Sequence, residues 1–252
     1  MTIDTRPVRK VVTSRAGGAS AFPYDSFNLG DHVGDDPQAV AANRRRLARI
    51  IGLAPERIVW MEQIHSPTVT VVDGPQQEPV PASDALVTTS ADLALAVLVA
   101  DCVPVLLSDH HAGVVAAAHA GRMGARNGIV RRTVETMVEL GARPEAIHVL
   151  LGPAASGARY EVPPEMAADV ESRLPGSRCR TATGTTGLDI RAGLVAQLRA
   201  LGVRAIDVDP RCTIEDESLF SYRRAQGPTG RQAGLVWLNG SAAAHAHEPR
   251  RS

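Results

Sequence analysis

Leu93-Ala-Leu-Ala-Val-Leu-Val-Ala-Asp101-Cys102-Val-Pro104-Val-Leu-Leu-Ser-Asp109-His-His-Ala-Gly113-Val-Val-Ala-Ala-Ala-His119-Ala-Gly121 reads as three apolar strands in close succession, Leu93–Val99, Val103–Ser108 and Val114–Ala118. The segment Asp109 to Gly113 reads as an exposed hairpin turn between the last two. Connections this short favour antiparallel neighbours. The run is broken by Asp101, Cys102 and Pro104, and its apolar part is too short to span a bilayer.

Further strands are expected upstream at Val8–Thr13, Ile58–Glu62, Thr68–Val72 and Ala85–Thr88. Asp36-Pro37 opens a helix through Ile51, with Val40, Leu47, Ile50 and Ile51 on one side. Downstream, Ile129, Val130, Val134, Met137 and Val138 recur at helical spacing and predict a helix from Gly128 to Leu140. A strand at Ile147–Leu151, helices at Pro164–Leu174 and Ile190–Leu201, and strands at Val203–Val208, near Leu219–Tyr222 and at Gln232–Leu238 complete the pattern. The expected fold is one α+β domain over residues 1–241, helices outside and largely antiparallel or mixed sheets inside, with a disordered tail at 242–252.

At 44% hydrophobic residues the chain buries a substantial core without disulfide staples. Lysine plus arginine balances aspartate plus glutamate at 27 each, so no overall field favours nucleic acid or membrane. Lys10 is the only lysine. Cys102, Cys179 and Cys212 form no disulfide framework, and the N-terminal residues lack a signal-peptide core. A soluble cytoplasmic protein is expected.

The chemistry concentrates where apolar runs turn polar. His65, Cys102 and His119 each stand at such an end. Brought together, two imidazoles and a thiolate suit zinc or copper, and three protein ligands leave the open position of a catalytic metal site. Each residue also has an ordinary reading: a histidine at a strand end as a hydrogen-bonded surface group, a free cysteine as a small hydrophobe. Asp101 sharpens the case, because a carboxylate inside an apolar run costs several kcal/mol unless paired or ligating. Gly121 and Gly124 let the backbone close around a ligand. His110 and His111, in the turn, are rival ligands; His32 sits in a loop that could border a site, and His148 reads as solvent-facing. His245 and His247 fall in the tail. Arg15, beside Gly17-Gly18, is an anion receptor by type, and Arg223 and Arg224 in a second polar, glycine-rich cluster are alternatives.

Taken together, Thr13-Ser-Arg-Ala-Gly-Gly18, Phe27-Asn-Leu-Gly30 with His32-Val-Gly-Asp35, Gln63-Ile-His65, Ala100-Asp-Cys-Val-Pro-Val-Leu-Leu107, Ala118-His-Ala-Gly121, Leu151-Gly-Pro153 with Tyr160-Glu-Val162, and Ser221-Tyr-Arg-Arg224 with Thr229-Gly-Arg231 resemble the YfiH-type family. That family is described as laccase-domain polyphenol oxidases, purine nucleoside phosphorylases and peptidoglycan editing factors. The resemblance runs in order from about residue 11 to residue 238. It implies a layered α/β/β/α domain and a zinc ion, or copper, held by His65, Cys102 and His119. It also implies phosphorolysis of adenosine, inosine and S-methyl-5′-thioadenosine, together with deamination of adenosine, in a pocket that includes Arg15 and Asn28. The family's His-Ala-Gly-Trp-Arg-Gly is here His119-Ala-Gly-Arg122-Met123-Gly124, so an aromatic is lost and the arginine moves by one place.

These readings give a purine nucleoside and phosphate as partners, no nucleic acid, no membrane, and a monomer or homodimer. Cys102, His119, Arg15 and Asp101 are the candidate catalytic residues, and Arg15, Asn28, Arg223 and Arg224 the candidate substrate contacts. Asp101 or Glu161 would carry protons in deamination, in which the metal lowers the pKa of water from about 15.7 toward about 7. The alternatives are a Cys–His hydrolase using Cys102 and His119, a muropeptide editing or binding factor, and a copper polyphenol oxidase, for which three ligands are few.

Overall fold

The computed structural model describes residues 7–240. In chain order the strands are β1 (Val8–Val12), β2 (Ile58–Val59), β3 (Val69–Val71), β4 (Ala85–Thr88), β5 (Ala94–Val99), β6 (Val103–Asp109), β7 (Val114–Ala120), β8 (His148–Leu151), β9 (Arg178–Arg180), β10 (Thr186–Leu188), β11 (Ala205–Val208) and β12 (Gln232–Leu238). The helices are α1 (Pro37–Ile51), α2 (Arg122–Arg126), α3 (Ile129–Glu139), α4 (Pro164–Arg173), α5 (Ile190–Ala200) and α6 (Tyr222–Ala225).

Two sheets lie face to face, one ordered β1-β12-β5-β2 and the other β11-β8-β6-β7-β4-β3. Both are mixed: β12 pairs antiparallel with β1 and β5, whereas β2–β5, β3–β4 and β8–β11 are parallel. The period-2 alternation of side chains explains why the central strands are apolar throughout. In β5, Ala94, Ala96 and Leu98 face outward to Leu47 and Ala48 of α1, while Leu95, Val97 and Val99 face the other sheet. In β7, Val114, Ala116, Ala118 and Ala120 pack outward with Ile129, Val134 and Met137 of α3, while Val115 and Ala117 face inward. Each large apolar side chain so buried contributes about 1.5–3 kcal/mol. The result is a helix–sheet–sheet–helix sandwich within one α+β domain, as expected.

Local signals placed most boundaries. Asp36 accepts from Gln38 N at 2.9 Å to start α1, Pro37 fits its first turn, and Gly52 at φ 76° ends it. Three details differ from expectation. β5 and β6, adjacent in sequence, belong to different sheets, so the chain crosses the sandwich between them. Residues 219–221 are not a strand, and the chain continues into α6. Gln232 supplies the missing ladder there: its Oε1 accepts from Phe220 N at 2.7 Å and its Nε2 donates to Phe220 O at 3.1 Å. The short elements α2, β9 and β10 were not anticipated. The expected tail lies outside the described residues, as do His245 and His247.

Candidate metal centre and cleft

The crossing from β5 to β6 runs through Ala100-Asp101-Cys102, which puts the Cys102 thiol at the edge where the two sheets part. Asp101 turns the chain there at φ 94°, a left-handed conformation costly for a residue other than glycine. Its carbonyl accepts from Ala155 N at 2.9 Å. Its carboxylate accepts from Thr213 Oγ1 at 2.6 Å and from Arg223 N at 2.7 Å. Three bonds thus hold the turn that aims Cys102.

His119 is in register opposite Pro104 and shares the inward face of β7 with Val115 and Ala117. His65 follows β2 in a loop, at φ 61°. Their donor atoms and the Cys102 sulfur all lie within 4.8 Å of one another. Cys102 Sγ is 3.9 Å from His65 Nε2, and the two imidazole centroids are 4.6 Å apart, nearly perpendicular at 77°. A Cβ at Gly121 would meet His65 Cδ2 at 2.7 Å and Cys102 Sγ at 3.0 Å. Only glycine leaves the three side chains room to converge.

Asp84 sets their orientation. Its Oδ1 accepts from His65 N at 2.9 Å and lies 2.8 Å from His119 Nδ1. Its Oδ2 accepts from Ser66 N at 2.6 Å, Ser66 Oγ at 2.9 Å and Ile64 N at 3.1 Å. With Nδ1 engaged, His119 turns Nε2 toward the thiol, the usual arrangement of a ligating histidine backed by a carboxylate. Burial pushes the Asp84 carboxyl up, but the bonds from His119 and Ser66 prevail and hold it below its ordinary value.

The electrostatics follow from this packing. Burial raises the Cys102 thiol, yet His119 and His65 beside it bring it down to about 6. Burial disfavours a charged His119, but Cys102 and Asp84 win and raise it to about 9. Both shifts favour a thiolate beside a protonated His119, and a metal ion would take the place of that imidazolium proton, leaving the thiolate and neutral imidazoles that ligate. Donor chemistry, convergence and the carboxylate behind one histidine all fit a zinc-type ion.

These residues floor a cleft of about 440 Å³, within the range of small-molecule sites. Arg122, Arg223 and Arg231 line it, with Asp101, Tyr160 and Tyr222. The Arg223 guanidinium lies 4.7 Å from the Tyr160 ring centroid and donates to Glu161 O at 2.9 Å. Burial raises the Tyr160 phenol against the pull of Arg122 and Arg223. His32 also borders the cleft.

Other expected residues have different surroundings. Arg15 pairs with Asp25 at 2.9 Å and covers Phe220, and it is not among the cleft-lining residues. Asn28 is fully buried: its Oδ1 accepts from Gly30 N and Arg231 N, both at 2.9 Å, so it anchors the segment just before β12 that brings Arg231 to the cleft. Arg224 donates to the carbonyls of Thr213, Asp216 and Leu219 and braces that loop. Glu161 presents its carbonyl to Arg223. His110 and His111 occupy the β6–β7 turn, their rings 3.8 Å apart. His148 contacts Lys10 and Asp207. Cys179 donates to Gly157 O and Cys212 accepts from Ser156 N, both at 3.4 Å, and both are free thiols. Among the described residues no helix is long and apolar enough to cross a membrane.

The sequence reading passed over Asp84, Tyr160 and Arg231 as site residues. The available signal for Asp84 was a carboxylate immediately before a wholly buried strand, the same reasoning that singled out Asp101.

The chain is also similar to known proteins over most of its length. The chain is 71% identical over 235 residues to a purine nucleoside phosphorylase of Corynebacterium glutamicum, covering 92% of this chain and 95% of that one. It is 59% identical to a purine nucleoside phosphorylase of Mycobacterium tuberculosis, covering 92% of each. Among solved structures, YlmD from Geobacillus stearothermophilus superposes with TM-score 0.86 at 34% identity over 93% of both chains. YfiH from Bacillus licheniformis gives TM-score 0.86 at 30% identity, over 92% of this chain and 93% of that one. Residues 9–239 match a family described as multi-copper polyphenol oxidoreductase laccase, and the chain belongs to that family.

Proposed function

We propose that this chain is a metal-dependent purine nucleoside phosphorylase, converting adenosine, inosine or S-methyl-5′-thioadenosine and phosphate to free base and the ribose 1-phosphate, with deamination of adenosine as a second activity. One observation carries the reading: a His–Cys–His group floors a nucleoside-sized cleft whose walls hold three arginines. The names of the close relatives support it.

In phosphorolysis a phosphate oxygen forms the bond to C1′ as the bond from C1′ to the purine nitrogen breaks. Arg122, Arg223 and Arg231 bind and orient the phosphate, since guanidinium forks suit its oxygens. Asp101, through the Arg223 amide, fixes the start of the helix that carries that arginine. Tyr160 offers an aromatic face beside Arg223 for the base or sugar. Zinc is the preferred ion and copper the alternative; held by His65, Cys102 and His119, it would supply positive charge for the departing base and activate water for deamination. Asp84 keeps His119 in the tautomer that presents Nε2. The three free cysteines suit a reducing cytoplasm.

The test is product chromatography from adenosine with and without phosphate. Adenine released only with phosphate supports phosphorolysis, and inosine formed in either condition supports deamination. Absence of phosphate-dependent adenine contradicts the proposal. A second reading, a Cys–His hydrolase of amides, is favoured by the lowered thiol and raised imidazole. A chelator separates them, because it should abolish the phosphorylase and spare a thiol hydrolase.

A further inference from the structure

Away from the cleft, the two sheets are joined at one edge by a polar chain of three residues. Lys10 on β1 shares the inward parity of Val8 and Val12, and His148 on β8 that of Leu150, so the two meet across the sandwich. Lys10 Nζ donates to His148 O at 2.7 Å and lies 2.7 Å from His148 Nδ1. His148 Nε2 is 2.9 Å from Asp207 Oδ2 on β11. A carboxylate at Nε2 fixes the proton there and leaves Nδ1 as an acceptor facing the amine. The order carboxylate, imidazole, nucleophile is that of a catalytic triad with an amine in the last place.

We propose that Lys10 is a reactive amine, activated by His148 and Asp207, and a site of acylation by small acyl phosphates. The amine nitrogen bonds to the carbonyl carbon, the bond from that carbon to the phosphate oxygen breaks, and phosphate leaves with the electron pair. The amine's surplus proton passes to His148 Nδ1, and Asp207 stabilises the imidazolium. A phosphate leaving group suits the site because it departs as an anion without needing that proton.

The surroundings favour the neutral amine. The groups facing it are His148 from β8 and Asp207 from β11, and its register partner on β12 is Val236. Burial lowers Lys10 to about 7, with Asp207 the opposing pull. Its two hydrogen-bond contacts match the two N–H bonds of a neutral amine and leave the lone pair free. The His148 and Asp207 side chains, 44% and 70% exposed, leave the edge open to a small reagent.

Because Lys10 is the only lysine, the test is clean. The intact protein is treated with acetyl phosphate, and acetylation is mapped by peptide mass spectrometry, with the same residue in urea-unfolded protein as reference. At neutral pH the folded protein should acetylate Lys10 on the order of tenfold faster, a larger neutral fraction outweighing a weaker nucleophile. The folded rate should level off above about pH 7, and the unfolded rate should keep rising toward 10.5. His148→Gln, checked for unchanged melting temperature, should lose most of the acceleration. Equal folded and unfolded rates, or a His148→Gln rate equal to the wild type, would overturn the proposal.

Discussion

Replacing Asp84 by Asn alters one atom of a buried carboxylate that takes part in five polar contacts. If the new amide nitrogen takes the Oδ1 place, it faces His119 Nδ1 and His65 N. If it takes the Oδ2 place, it faces Ile64 N, Ser66 N and Ser66 Oγ. Either orientation sets a donor against donors and loses at least two bonds to a charged acceptor, in a residue with no exposed surface. At about 1.5–3 kcal/mol per bond, the smallest loss is about 3 kcal/mol. For a domain of this size that corresponds to a fall in Tm of about 6–12 °C. The loss falls on the segment that aims His65 and on the partner of His119, so zinc affinity should drop about 10–100-fold. Competition titration against a chromophoric chelator reads the affinity, and calorimetry reads the Tm. An Asp84→Asn protein with wild-type zinc affinity and unchanged Tm would refute the assignment of Asp84 as the residue that orients the ligands.

Three further outcomes are expected. Gly121→Ala would drive a methyl group into His65 and Cys102 and should weaken zinc binding sharply while leaving distant strands intact, which hydrogen exchange and the same titration would report. Arg223→Ala should raise KM for phosphate about tenfold or more with zinc content unchanged, whereas Arg15→Ala, losing its bond to Asp25, should leave KM for phosphate near the wild-type value. Lys10 is lowered in the fold, so between about pH 7 and 10.5 the unfolded chain binds a proton that the folded chain does not. Stability should therefore rise with pH across that window relative to Lys10→Met, and denaturation at several pH values would read the difference.

Much of the architecture was legible because it rests on local patterns. Asp36-Pro37 and Gly52 punctuate α1, and the apolar runs of β4 to β7 are long enough to stand out. Sheet membership was not legible, because β5 and β6 look alike in sequence and only their partners assign them to opposite layers. The segment Leu219-Phe-Ser-Tyr222 misled for a related reason: buried apolar residues resemble a strand even where a glutamine side chain supplies the hydrogen bonds. Helix α2 has five residues including Gly124 and no run long enough to show a period.

The three ligand candidates were visible because an imidazole or thiol is conspicuous at the end of an apolar strand. Their supports were harder to see. Asp84 reads as an ordinary residue before a strand, and its role appears only when β4 lies beside β7. The arginines of the cleft come from two distant segments, Arg122 from one and Arg223 with Arg231 from the other, with nothing local to mark Arg231 above Arg15.

The central claim is that two imidazoles and one thiolate hold a single cation where the sheets part. Cobalt substitution of the wild type and of Cys102→Ala, read by elemental analysis and the thiolate-to-cobalt absorption band, tests it most directly. The account predicts one equivalent of metal and a sulfur charge-transfer band in the wild type, both lost in the variant. A wild type that binds no metal, or a Cys102→Ala protein that keeps its full equivalent, would contradict it.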